Sequence, residues 1–150
     1  MPCTRSKCDS PKSPKLLSLR ACLYSTSTID TQSVNVPTLE VGADQYPMVE
    51  GVFSEHRRQP YIHDCLVKVH RCGRWHQFQL FCKNHRLLRK NIAAPAAWRG
   101  DILVMQGGLR TFSVNLRAKD KPLVDYVVRN VIRRIQQATP FRLPKVISVP

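Results

Sequence analysis

The stretch from Trp98 to Ala138 constrains the fold most, because each local signal in it agrees with the next. Asp101–Gln106 is an apolar run that Gly107-Gly108 breaks, and Phe112, Val114 and Leu116 then alternate with polar residues. Asp120-Lys121-Pro122 opens a segment in which Leu123, Val124, Val127, Val128, Val131, Ile132 and Ile135 recur with helical spacing. The i, i+1, i+4, i+5 rhythm gathers them on one wide apolar face. Asp120 is placed to cap this helix, and Pro122 occupies a first-turn position where no amide donor is needed. Arg129, Arg133 and Arg134 fall towards its end, where positive charge suits the helix dipole. At 100° per residue, Arg129 and Arg133 share the solvent side with Tyr126 and Gln136.

Upstream, from Tyr61, a hairpin is legible. Cys65, Val67 and Val69 alternate with Leu66, Lys68 and His70, and Cys72-Gly73-Arg74 offers a turn. His76, Phe78, Leu80 and Cys82 then alternate with Trp75, Gln77, Gln79 and Phe81, giving one mostly apolar face. Asn84–Asn91 suggests two helical turns with Arg86 and Lys90 four apart, and Ile92–Trp98, with Pro95, reads as a connector. Together these elements predict an α+β fold. It is a small, mostly antiparallel sheet of about four strands with the C-terminal amphipathic helix packed on one face. The domain spans residues 46–140, behind a disordered Ser/Thr/Pro/Lys-rich lead over 1–45 and before a Pro-bounded tail over 141–150.

Within the lead, Pro11 and Pro14 disfavour an early helix, and Thr38–Val41 and Val49–Phe53 suggest short strands. Leu16–Tyr24 is apolar but interrupted by Arg20, a poor secretory h-region; a basic, hydroxyl-rich, acid-poor start suits an organelle transit peptide instead. Without a secretory signal the expected compartment is intracellular, nuclear or cytoplasmic, with the mitochondrion as the alternative. No apolar stretch approaches the roughly eighteen residues of a membrane span.

Charge is the extreme quantity: 24 Lys+Arg against 10 Asp+Glu give a formal net charge of +14. It is unevenly spread. Residues 1–28 carry a net +4, residues 29–55 a net −5 with no Lys or Arg, and the remainder a net +15. A field this positive attracts polyanions, and an acidic segment beside it is expected to lie across it as a screen. The candidate nucleic-acid contacts are Arg86, Arg89 and Lys90 on the short helical segment and Arg129, Arg133 and Arg134 on the long one. Arg57, Arg58, Arg71 and Arg74 supplement them. Stacking on bases would require Trp75 or Trp98 to be exposed. Asp125 lies four residues before Arg129, in the favourable order for a helical ion pair. The second reading is a protein-interaction or structural module with an acidic protein partner, which would present an apolar patch with aromatic anchors.

The remaining motifs argue against other classes. His63-x-Cys65, His70-x-Cys72 and Cys82-x-x-His85 invite a metal, but only the last approaches knuckle spacing and the set falls on both faces of the hairpin. Core thiols and surface histidines are the expectation, with no metal and no cofactor. No acid or oxyanion signature accompanies a Cys–His pair, so no catalytic residue is assigned and the chain is not expected to be an enzyme. Arg99-Gly100-Asp101 spells a cell-surface recognition tripeptide, yet it runs straight into a buried-looking strand and reads as a turn. Gly107-Gly108 has no following helix or Lys-Ser/Thr and is no phosphate cradle.

A resemblance rests on Asn84, Leu87, Trp98-Arg99-Gly100-Asp101-Ile102-Leu103-Val104-Met105, Val114-Asn115-Leu116 and Asp120-Lys121-Pro122-Leu123-Val124-Asp125. This series resembles a pattern in uncharacterised proteins of mushroom-type fungi. In those proteins a W-x-G-D-[IL]-[VL]-V-M strand precedes a [VF]-N-[LM] strand and an acidic-led helix. The likeness covers residues 84–135. It implies the strand–strand–helix order and no activity, cofactor or catalytic residue.

Overall fold

The structure, a computed structural model, describes residues 13–53, 62–83, 87–94, 97–108, 113–137 and 146–149. In chain order its elements are β1 (Lys15–Tyr24), β2 (Gln32–Val41), β3 (Asp44–Pro47), β4 (His63–Arg71), β5 (Arg74–Cys82), β6 (Ile102–Gly107), β7 (Ser113–Val114), α1 (Lys121–Gln137) and β8 (Val146–Val149). All eight strands described join one sheet in the order β3-β2-β1-β6-β5-β4-β8, with β7 also on β6. The pairings are antiparallel except β4 with β8, which is parallel.

The fold is therefore not the small four-strand α+β sheet that the sequence predicts, but a mostly-β curled mixed half-barrel with a single 17-residue helix among the described residues. Most of the difference lies in residues 15–47, expected as a disordered lead. β1 pairs with β2 over nine positions from Lys15↔Glu40 to Leu23↔Gln32, and with β6 through Cys22–Tyr24. Its last four residues, Ala21–Tyr24, are buried on both faces, so the polar/apolar alternation that marks a half-exposed strand is absent there. β2 does alternate: Val36 and Thr38 are buried between exposed Asn35 and Pro37, but its Ser/Thr/Asn content disguises the period. The buried Thr38 hydroxyl donates to its own strand at Val36 O (3.2 Å). Thr38–Val41 is the end of β2, whereas Val49–Phe53 is a 3-10 turn over Glu50–Val52, not a strand. β8 lies inside the expected 141–150 tail. Residues 1–12, Phe112, Ala138 and the side chains of Ile135 and Gln136 lie outside the described residues.

The curl has a local cause at β6. One edge of β6 carries β5 over Ile102–Gln106, while the other carries β1 at Ile102–Val104 and β7 at Gln106–Gly107. β1 thus diverges from β6, and the chain after β7 fills the wedge. The Leu116 amide donates to Arg20 O (2.9 Å), and the Arg20 amide donates to Asn115 Oδ1 (2.8 Å).

Alternation on a curled sheet makes two cores. Cys65, Val67 and Val69 of β4, Phe78, Leu80 and Cys82 of β5, and Ile102 and Val104 of β6 pack under Val124, Val127, Val128, Val131 and Ile132 of α1. The other face gathers Leu19, Ala21 and Leu23 of β1, Val36, Phe81, Leu103 and Met105, closed by Val49 and Phe53 around the 3-10 turn. β6 serves both, so Ile102–Met105 is apolar at every position. Asp120, expected to cap α1, instead accepts from Gln106 Nε2 (3.2 Å) and Arg117 Nε (3.0 Å). The connection before β6 is anchored by Asn91, whose buried Nδ2 donates to Tyr24 O and Gly100 O at 2.8 Å each. Gly100 has φ +95°, and a Cβ there would stand 2.3 Å from Lys83 O, so only glycine fits.

Candidate nucleic-acid interface

The helix that seals the larger core turns its arginines outward. Arg129 and Arg133 are exposed one turn apart, and Arg134 donates to Ser148 O of β8 at 2.6 Å. Arg71, exposed at the end of β4, lays its guanidinium 4.4 Å from the centroid of the Tyr126 ring, a cation–π contact. Asp125 does not neutralise Arg129 as its spacing suggests. Its carboxylate accepts from Lys121 and from the Tyr24 hydroxyl, because Lys121 lies one turn the other way and Tyr24 ends β1 beneath the helix. None of the described carboxylates pairs with Arg71, Arg129 or Arg133.

The six candidate residues do not form one set. Arg89 and Lys90 are exposed on the β5–β6 connection, where Lys90 bridges Arg99 in antiparallel fashion rather than lying on a helix. Arg99 there donates from Nη1 to Leu88 O (3.1 Å), which favours the extended path over helical turns. That connection leaves the Cys82 end of the hairpin, and Arg71 is at its turn end, paired in register with Arg74. Arg86, Arg57, Arg58, Asn84 and His85 lie outside the described residues.

The described part of the acidic segment is built into the sheet. Asp30, Glu40 and Asp44 belong to the β2–β3 end of the sheet, Glu50 lies in the turn that closes the second core near Asp64 and Phe81, and Glu55 lies outside the described residues. From β2 to β4 is four strand spacings, about 19 Å along the sheet at the usual interval. The path is not straight, because the curl brings β3 back to β7: the Gln45 side chain donates to Ser113 O (3.2 Å) and accepts from the Ser113 amide (2.7 Å). Near Arg71 and α1 the described carboxylates are Asp120 and Asp125, each with its own cation, Arg117 at 3.0 Å and Lys121. Asp64 is on β4 but at the far end from Arg71.

Trp98 is buried in the larger core, whereas Trp75 is 65% exposed beside His70, ring centroids 5.0 Å apart. The hairpin alternation already puts Trp75 on the face opposite Val67 and Val69; its exposure depends on α1 covering only the other face. Cys22, Cys65 and Cys82 are core thiols, and burial raises all three, Cys65 to about 12 with the charge of Asp64 adding to the effect. They are held protonated, which makes them poor nucleophiles and poor ligands. Cys72 is exposed in the β4–β5 turn. Among the described residues no three His, Cys, Asp or Glu side chains come together to hold a metal ion, and no helix is long and apolar enough to cross a membrane. Asp101 is buried and accepts from the Thr26 amide at 2.8 Å, so the Arg99-Gly100-Asp101 tripeptide is not a presented loop. Compared with protein-family models, curated proteins and solved structures, the chain matches none.

Proposed function

We propose that this chain binds an acidic macromolecule, nucleic acid first, through the end of the molecule built by β4, β5 and α1. One observation carries the reading: the charge excess is spatially sorted. Asp30, Glu40 and Asp44 lie at the β2–β3 end, Asp120 and Asp125 beside α1 are each paired with a cation, and Arg71, Arg129 and Arg133 stand solvent-exposed with no described carboxylate paired to them. Exposed cations on a helix are ordinarily worth little to stability, so a sorted set is more telling than a count. The exposed large apolar residues support an acidic protein partner less well. Leu16 and Tyr46 flank Leu39 in one register row across β1, β2 and β3, with Val41 beside it, so the apolar row lies among Glu40 and Asp44, where an acidic partner would be repelled.

The test is a salt titration of the full chain with DNA. The logarithm of the binding constant should fall linearly with the logarithm of salt concentration, and Arg129→Gln and Arg133→Gln should each lower the slope by about 0.7–0.9. Absence of binding at low salt, or binding indifferent to salt, overturns the proposal.

A further inference from the structure

We propose that the cleft where β5 outruns β6 binds single-stranded nucleic acid, with one base stacked on Trp75 and its neighbouring phosphates on Lys68, Arg74 and Arg117. The proposal rests on the polyanion reading and moves its centre from the helix to the hairpin.

β5 pairs with β6 over Phe78–Cys82, Gly107 stands against Gln77, and Arg74–His76 have no paired strand on that side among the described residues. The cleft left beside them has a volume of about 960 Å³ and is lined by Lys68, Arg74, Trp75, Gln77, Gly107 and Arg117, among others, with no carboxylate among the described lining residues. A strand end that buries nothing is a poor place for the chain's largest apolar ring, yet Trp75 stands there 65% exposed. His70, tilted 56° to it in the register position opposite, supports one side of the ring. Among the described residues no other ring packs on it.

Charge names the partner's chemistry. Lys68 and Arg74 have no carboxylate partner among the described residues, and Arg117 is steadied by Asp120 at 3.0 Å while keeping 56% of its side chain exposed. A glycine at 107 keeps the floor low, since a Cβ there would press within 3.1 Å of Gln77. The Gln77 side chain has no hydrogen-bond partner among the described residues, which leaves its amide for a base edge. Cations alone would serve any polyanion. An exposed ring between them selects a chain whose bases are unstacked, because bases within a duplex present no free face.

The test uses the full chain, an oligothymidylate of about twelve nucleotides, and the matching duplex, at about 50 mM salt. Because Trp98 is buried, quenching of tryptophan emission reports Trp75. The oligothymidylate should quench it and bind more tightly than the duplex. Trp75→Ala should weaken binding about tenfold or more, Trp75→Phe should largely restore it, and Trp98 emission should stay unchanged in both as a sign of an intact core. Full affinity in Trp75→Ala, or a duplex that binds as tightly as the single strand, overturns the cleft while leaving the polyanion reading standing. No binding of either nucleic acid overturns both.

Discussion

The half of the sheet made by β4, β5 and β8 and the half made by β1, β2 and β3 meet at β6, and they are closed in different ways. A helix seals the first: Val124, Val127, Val128, Val131 and Ile132 all lie buried against the sheet. The second is sealed by curl and by a three-residue turn whose flanks contribute Val49 and Phe53. Their surfaces differ as well, the helix-covered half bearing outward arginines and the other carrying Asp30, Glu40, Asp44 and Glu50. A single strand couples the two halves. β6 sends Ile102 and Val104 into one core and Leu103 and Met105 into the other, so neither half is a free-standing unit.

The largest expected effect tests that dependence. Val128→Asp places an unpaired carboxylate in the helix-covered core and should cost about 4 kcal/mol, close to the whole stability of a domain this size. Phe53→Ala leaves a cavity in the second core and should cost about 3 kcal/mol. Urea unfolding followed by far-UV circular dichroism should show a single transition in the Phe53 variant, shifted but not split. Two separate transitions would break the coupling through β6.

Alkaline pH separates the cores in a second way. The buried groups with raised proton affinity, Cys22 and Tyr24 on β1, Cys65 on β4 and Cys82 on β5, all belong to the helix-covered core and none to the other. Burial is the first cause for each, and for Tyr24 the hydrogen bond to Asp125 adds to it. A folded-state pKa raised above the unfolded one gives stability that is complete below the unfolded value. It is lost as pH rises, because the unfolded chain then holds fewer protons. Stability should therefore be flat below about pH 8 and decline from about pH 9 upward, by at most ~1.4 kcal/mol per pH unit for each group. Cys65→Val should make the decline shallower. An unchanged pH slope in that variant would remove Cys65 from the account.

How much of this was legible depended on whether one face of an element met water. α1 and the β4–β5 hairpin each keep a wet side, so period 3.6 and period 2 stood out in Leu123–Ile132 and in Cys65–Cys82. β1 runs through both cores at Ala21–Tyr24 and loses its period there. β2 keeps its period but writes it in Val, Thr, Ser and Asn, a composition shared with unstructured leads. The candidate site was half legible for the same reason. Arg129 and Arg133 follow from helical geometry alone, whereas freedom from Asp125 depended on Tyr24 and Lys121 claiming that carboxylate. The Lys68–Arg74–Arg117 cleft depended on where β6 ends beside β5, a register that no local pattern encodes.

The smallest effect in stability is the sharpest on charge. Arg133 and Asp44 are both exposed, so Arg133→Gln and Asp44→Asn should each change stability by no more than about 0.5 kcal/mol. The double variant keeps the formal net charge at +14, since one cation and one anion are removed together. If nucleic acid responds to net charge, the double variant should bind as the unaltered chain does. If it responds to the sorted layout, removing a carboxylate from the β2–β3 end should not compensate for a cation lost from α1, and the double variant should bind as weakly as Arg133→Gln alone, with the same lowered salt slope. DNA titrations of the two single variants and the double, at two salt concentrations, decide between these. Recovery of the full slope in the double variant would mean that the two halves of the sheet act as one charge, and the contrast between them would then be structural only.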